Sequence, residues 1–149
     1  RRDTVAMVDV DHFKAFNDRH GHDVGDLVLR MVASKLKHAG GGARAFRYGG
    51  EEFTLVFRGR SLEEASPHLD GVREAVASAK FVVRGPNRPK KKPKKPVPRR
   101  GKQKELSVTV SIGAAERAGR AAADVLQAAD AALYEAKDAG RNRVVAARG

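Results

Sequence analysis

Three groups of residues have the types and spacing for metal and phosphate chemistry. Asp9 closes the apolar, β-branched run Thr4-Val5-Ala6-Met7-Val8-Asp9-Val10, and Glu51 and Glu52 follow the pair Gly49-Gly50. Lys137 and Arg141 stand about one helical turn apart near the other end of the chain. Carboxylate oxygens suit a hard divalent cation such as Mg²⁺, which shares its coordination with phosphates. Antiparallel pairing can bring a strand end and a hairpin tip together. Each group also has a plainer assignment. Asp9 and Asp11 would share a face of a continuing strand, yet Asp11 is equally suited to cap a short helix over His12 to Asn17. A glycine pair is by itself a turn, and Lys137 and Arg141 would offset a helix C-terminus. These residues suggest a site without identifying it.

The elements that must position them follow from periodicity. Thr4–Val10 reads as a buried strand. Gly21 to Asp26 opens a second helix with an apolar stripe at Val24, Leu27, Val28, Met31, Val32 and Leu36, ended by Gly40-Gly41-Gly42. Arg44 to Tyr48 and Glu51 to Phe57 flank the glycine pair as a β-hairpin, since glycine accepts the positive φ of tight turns. A third helix carries Leu62, Ala65, Leu69, Val72, Val76 and Ala79. Phe81–Val83 and Leu106–Ala115 read as partner strands, Val125–Ala136 as a final helix and Arg143–Ala147 as a closing strand. The order β-α-α-β-β-α-β-β-α-β predicts an α+β domain, helices packed on a mainly antiparallel sheet, spanning residues 1–149.

Charge is unevenly placed. Between Arg84 and Lys104 stand 11 Lys/Arg and no acid, interrupted by five prolines; removing those 11 from 30 leaves 19 basic residues against 18 acidic ones. The core is therefore near neutral, and a basic Pro/Lys-rich insertion at about residues 85–104 carries the net charge of +12. It offers little to bury and is expected to be an extended, mobile loop between two strands. Attraction of anionic lipid, nucleic acid or nucleotide triphosphates is open to it, as is a merely tolerated insertion. It has no aromatic residue for base stacking. The absence of cysteine excludes disulfides and thiolate chemistry in this segment. No apolar run reaches the roughly 20 residues needed to cross a bilayer, and no signal peptide opens the sequence.

Arg47-Tyr48-Gly49-Gly50-Glu51-Glu52-Phe53 resembles the signature of the GGDEF family in its GGEEF form. Asp9-Val10-Asp11-His12-Phe13-Lys14, Asn17-Asp18, Gly21-His22, Gly25-Asp26, Ser111-Ile112-Gly113-Ala114, Asp130 to Lys137 and Gly140-Arg141-Asn142 match in order, so the likeness covers nearly the whole chain outside the insertion. The resemblance implies a palm-like, ferredoxin-like sandwich similar to nucleotide cyclases. It implies a diguanylate cyclase, a nucleotidyltransferase that condenses two GTP into cyclic di-GMP, a bacterial second messenger. Asp9, Glu51 and the Val10 carbonyl would hold Mg²⁺, or Mn²⁺ in its place. Glu51 would also accept the proton of the GTP 3′-hydroxyl. Asn17 and Asp26 match the guanine-reading pair, and Lys14, Lys137 and Arg141 the cations on the triphosphate. Phe13 falls where backbone amides bind phosphate. His22 sits in the substrate turn, where a contact and a helix cap are both open. Glu52 has no settled role beyond supporting the hairpin. Each domain would bind one GTP, so catalysis needs a homodimer.

Two departures stand out. The Arg and Asp of the family's product-inhibition motif are replaced by Gly40 and Ala43, so no inhibitory site is expected. The Asp-x-Leu-Thr-Gly-Leu-x-Asn-Arg motif that normally precedes the first strand is not seen before Thr4. In the family that segment helps complete the fold and the nucleotide pocket, so a chain beginning at Arg1 is expected to have poor activity alone. An upstream sensory or dimerisation domain, which usually brings two such domains face to face, is also expected. The resemblance further implies a cytoplasmic location, at the inner membrane face if the full-length protein is anchored. The competing functions are a catalytically silent GTP-binding module and a nucleic-acid binder working through the basic loop.

Overall fold

Alternation along one strand decides the layers. In the computed structural model, which describes residues 2–83 and 104–148, β1 (Thr4–Val10) is the middle strand of a five-stranded sheet. After it come α1 (Phe13–His20), α2 (His22–Lys37), β2 (Arg44–Gly49), β3 (Glu52–Phe57), α3 (Leu62–Ser78), β4 (Phe81–Val83), β5 (Lys104–Leu106), β6 (Val110–Glu116), α4 (Ala122–Asp138) and β7 (Val144–Ala146). Ala6, Val8 and Val10 enter one core with Val28, Leu29, Val32 and Leu36 of α2 and Ala65, Leu69, Val72 and Val76 of α3. Met7 enters a second core with Ala115 of β6 and Val125, Ala129 and Leu133 of α4. The period of two therefore puts α2 and α3 on one face of the sheet and α4 on the other, with Asp9 on the α4 side.

The sheet runs β2-β3-β1-β6-β7. β1 is antiparallel to both β3 and β6, β2 is antiparallel to β3, and only β7 is parallel to its neighbour. The α+β reading with a mainly antiparallel sheet holds. One predicted strand does not. Leu106–Ala115 is two strands: β5 pairs with β4 as a separate two-stranded ribbon, and β6 enters the main sheet. Between them Val108 turns into the core and the Thr109 carbonyl accepts the Asp11 amide, bonds that periodicity cannot reveal. In α2 the expected stripe is rotated, with Leu27 53% exposed and Leu29 buried in its place, because Gly25, Leu29, Val32 and Leu36 keep the helical phase. Apart from Lys104, the basic insertion lies outside the described residues.

Gly113 shows why α4 can sit so low. A Cβ there would stand 2.0 Å from the Leu133 amide nitrogen and 2.3 Å from the Ala129 carbonyl. Only a glycine lets the helix backbone rest directly on β6, and that contact sets the height of Lys137 above the sheet.

Candidate active site

Asp9 lies at the meeting point of three elements. The β1–β3 register sets it opposite Glu52, and the Val10 amide donates to the Glu51 carbonyl at 3.3 Å. On the other side Asp9 faces Ser111 of β6. From above, Lys137 of α4 forms an ion pair with Asp9 Oδ2. Asp9 is only 6% exposed, and its Oδ1 is buried without a hydrogen-bond partner. Burial pushes its carboxyl above the ordinary value of 3.8; Lys137 works against this, while Glu51 and Asp11 add repulsion. Burial likewise raises Glu52 above 4.5, with Asp9 the largest charge repelling it. Like charges facing each other across a strand pair are unfavourable unless something offsets them. An orphaned buried carboxylate oxygen beside two further carboxylates is a donor set that a hard divalent cation would satisfy. Among the described residues no three such side chains draw together as a ready cation cluster, so the fit to a divalent cation rests on the unpartnered Asp9 oxygen.

Asp11 does something the sequence did not suggest. It is 7% exposed and accepts hydrogen bonds from Thr109 Oγ1 (2.6 Å), Ser111 Oγ (2.6 Å) and the Asn142 amide (3.0 Å). It does not cap α1: the cap position is His12, in the left-handed region at φ 55° and without a side-chain bond. Beyond α4 the Arg141 amide donates to Ala136 O (2.9 Å) and the Gly140 amide to Lys137 O (3.3 Å), a Schellman closure. The helix thus ends between the two cations singled out by sequence, leaving Lys137 on its last turn and Arg141 in the turn that follows. Arg73 of α3 reaches that same turn, donating to Asn142 Oδ1 at 3.0 Å. No sequence pattern pointed to Arg73.

A second group forms where α1 meets α2. Asn17 Nδ2 and His22 Nδ1 are 2.8 Å apart, and Asn17 Oδ1 is buried without a partner. His22 is the first residue of α2 and makes no cap, so that alternative is set aside. A Cβ at Gly25 would fall 2.2 Å from Asn17 Oδ1 and 3.2 Å from Phe13 Cζ, so the bare glycine is what allows Asn17 and Phe13 to close on α2. Asp26, the next residue, lines a cleft of about 750 Å³ between α2 and β2, together with Leu29, Arg47 and Phe53. Lys14 lies exposed in the first turn of α1. At the hairpin Arg47 donates from Nε and Nη2 to Gly50 O (3.1 and 2.7 Å), bracing the turn that presents Glu51. Asp9, Glu51, Glu52 and Lys137 are thus one cluster, Phe13, Asn17, His22 and Gly25 another. Phe53, beside Glu52 on β3, adjoins the Asp26 cleft. Gly40 and Ala43 lie in a tight loop against α3, where Gly41 packs on His68, and Ala43 also lines the cleft that holds Asp26.

A palm-like sheet with carboxylates at a strand end and a hairpin tip defines the class of nucleotide cyclase-like domains. The family model described as "Diguanylate cyclase, GGDEF domain" matches residues 1–143. The chain belongs to that family. It is 38% identical over 144 residues to diguanylate cyclase VdcA of Vibrio cholerae, covering 95% of this chain and 38% of that protein. Among solved structures, the GGDEF domain of DgcB from Caulobacter crescentus in complex with c-di-GMP superposes with a TM-score of 0.79 at 37% identity, covering 97% of this chain and 77% of that one. The active GGEEF domain of a diguanylate cyclase from Vibrio cholerae gives 0.80 at 27% identity, covering 100% and 85%. The chain spans at most 38% of the length of the first three curated relatives it matches.

Proposed function

We propose that this chain is the catalytic domain of a diguanylate cyclase acting on GTP as a two-fold dimer. The observation that carries the reading is the buried Asp9 carboxylate, one oxygen unpartnered, set among Glu51, Glu52 and Lys137. Family membership supplies the reaction class. Asp9, Glu51 and the Val10 carbonyl would hold Mg²⁺, or Mn²⁺, which when bound offsets the carboxylate repulsion and lowers the pKa of a nearby hydroxyl. Glu51 accepts the 3′-hydroxyl proton of one GTP. That 3′-oxygen bonds to the α-phosphorus of the opposing GTP, and the bond to pyrophosphate breaks. The reciprocal step closes the ring, so two GTP give one cyclic di-GMP and two pyrophosphates. Lys14, Lys137 and Arg141 oppose the negative charge on the phosphates, and the Phe13 amide, free at the start of α1, donates to them. Asn17 and Asp26 read the guanine edge, with His22 bonded to the Asn17 amide.

The two-fold arrangement is needed because each domain supplies one nucleotide; upstream segments that sense a signal or dimerise would hold it. A cytoplasmic location follows from the use of GTP, and among the described residues no helix is long and apolar enough to cross a membrane. For the basic insertion, attraction of polyanions such as an acidic lipid surface or nucleic acid is the reading its charge supports.

Fusing the chain to a dimeric coiled coil and incubating it with GTP and Mg²⁺ tests the proposal. Cyclic di-GMP and pyrophosphate are expected, and Glu51→Gln should lower turnover by about 10²–10⁴-fold. Binding of GTP with no product from the forced dimer would defeat the enzyme reading and favour a silent GTP-binding module.

A further inference from the structure

The turn after α4 is held from three sides. Arg141 and Asn142 both lie in the left-handed region, at φ 63° and 47°. Two successive non-glycine residues there are costly and persist only where surrounding contacts over-determine them. The contacts are on hand. The Arg141 amide bonds Ala136 O, the Asn142 amide bonds Asp11 Oδ2, and Asn142 Oδ1 accepts from Arg73. The Ile112 amide donates to Arg143 O at 2.9 Å, pinning the far end of the turn to β6. Asp11 is in turn fixed by Thr109 and Ser111, so its carboxylate, just beyond β1, ties together the lead-in to β6, β6 itself and the turn. None of these bonds reaches the Arg141 side chain. The Arg141 guanidinium itself has no hydrogen-bond or ion-pair partner among the described residues.

We infer that Asp11 and Asn142 are positioning residues, locking the turn after α4 so that Arg141 is presented, already ordered, to the nucleotide phosphates. The inference rests on the proposed assignment of Arg141 as a phosphate-binding cation. Arginine carries a large side-chain entropy, and holding its backbone in one state reduces what binding must still order. Lys137 does not need this device, because Asp9 already holds it. The carboxylate of Asp11 would thus serve the reaction without touching metal or substrate.

The test is a double-mutant cycle on the full chain, using calorimetric binding of a GTP analogue with a methylene α,β-bridge, and of guanosine. Asp11→Asn should weaken the analogue on the order of tenfold, the loss expected when a charge-assisted contact fails, and leave guanosine binding unchanged. In an Arg141→Ala background Asp11→Asn should cost nothing further. Losses that multiply in the double variant would overturn the inference. So would an equal loss for guanosine, or no analogue binding by the unaltered chain. If melting shows that Asp11→Asn does not fold, Asn142→Gly takes its place; it keeps the left-handed backbone and the amide donor but frees the turn from Arg73, and the same coupling to Arg141 is expected. Coupled losses in a chain that never turns over GTP would sink the cyclase reading alone. Uncoupled losses in a chain that does would sink this inference alone.

Discussion

Asp9 pays for its position in the metal-free protein. A carboxyl whose folded pKa is raised binds its proton more tightly in the native state. It therefore costs the fold nothing below the unfolded value of 3.8, and support is lost as pH climbs through the higher folded value. At neutral pH the ionised group is a net liability. Asp9→Asn is expected to melt at a higher temperature than the parent protein at pH 7 in chelator, with the advantage vanishing below about pH 3.8. Added Mg²⁺ should stabilise the parent and not the variant. A variant that melts lower across the whole range would contradict the site's electrostatics. Asp9, Glu51 and Lys137 were legible as candidate chemistry from their types at the ends of apolar elements, and the Val10 carbonyl only through the family resemblance. Asp11 was not: its partners lie 98, 100 and 131 residues away, and a capping role was the local answer. Glu52 was legible as an acid, but only the β1–β3 register reveals that it confronts Asp9.

At the scale of elements, α4 and α3 are positioned by different means. α4 depends on backbone contact at Gly113. The atoms that a Cβ there would strike are backbone, so no rotamer change relieves the clash. Gly113→Ala should destabilise the protein by at least about 1–3 kcal/mol and lower activity further by lifting Lys137 away from Asp9. Denaturant titration and turnover of the surviving folded fraction would check both parts. α3 instead begins with a capping box, the Ser61 hydroxyl accepting from the Glu64 amide at 3.1 Å and Glu64 Oε1 accepting from the Ser61 amide at 3.0 Å. Those bonds hold the Glu64 carboxyl below its ordinary value of 4.5. Its contribution is complete above 4.5 and fades as pH falls through the lower folded value. The stability difference between the parent and Glu64→Ala should accordingly shrink in acid, and a gap that stays constant down to pH 2 would be inconsistent with the cap. The strands and helices themselves were legible from period two and period 3.6. The break at residues 107–109 was not, because both halves favour strand and only the pairing partners differ.

For the molecule as a whole, family membership fixes what the sheet is for, and the departures from the family bear on control. The Gly40–Ala43 loop has neither arginine nor aspartate, and Gly40 has a φ of 84°, a conformation that an arginine would adopt only with strain. Cyclic di-GMP added in large excess is expected to leave initial rates of GTP turnover unaltered; a progressive decline in initial rate with added product would refute this. The antiparallel pairing of Val83 with Lys104 has a consequence of another kind. Val83 and Lys104 stand side by side, about one inter-strand spacing of 5 Å apart. Whatever is threaded between those residues need only have close ends, so a fluorescent protein could be spliced in there and would report on the domain without disturbing its sheet.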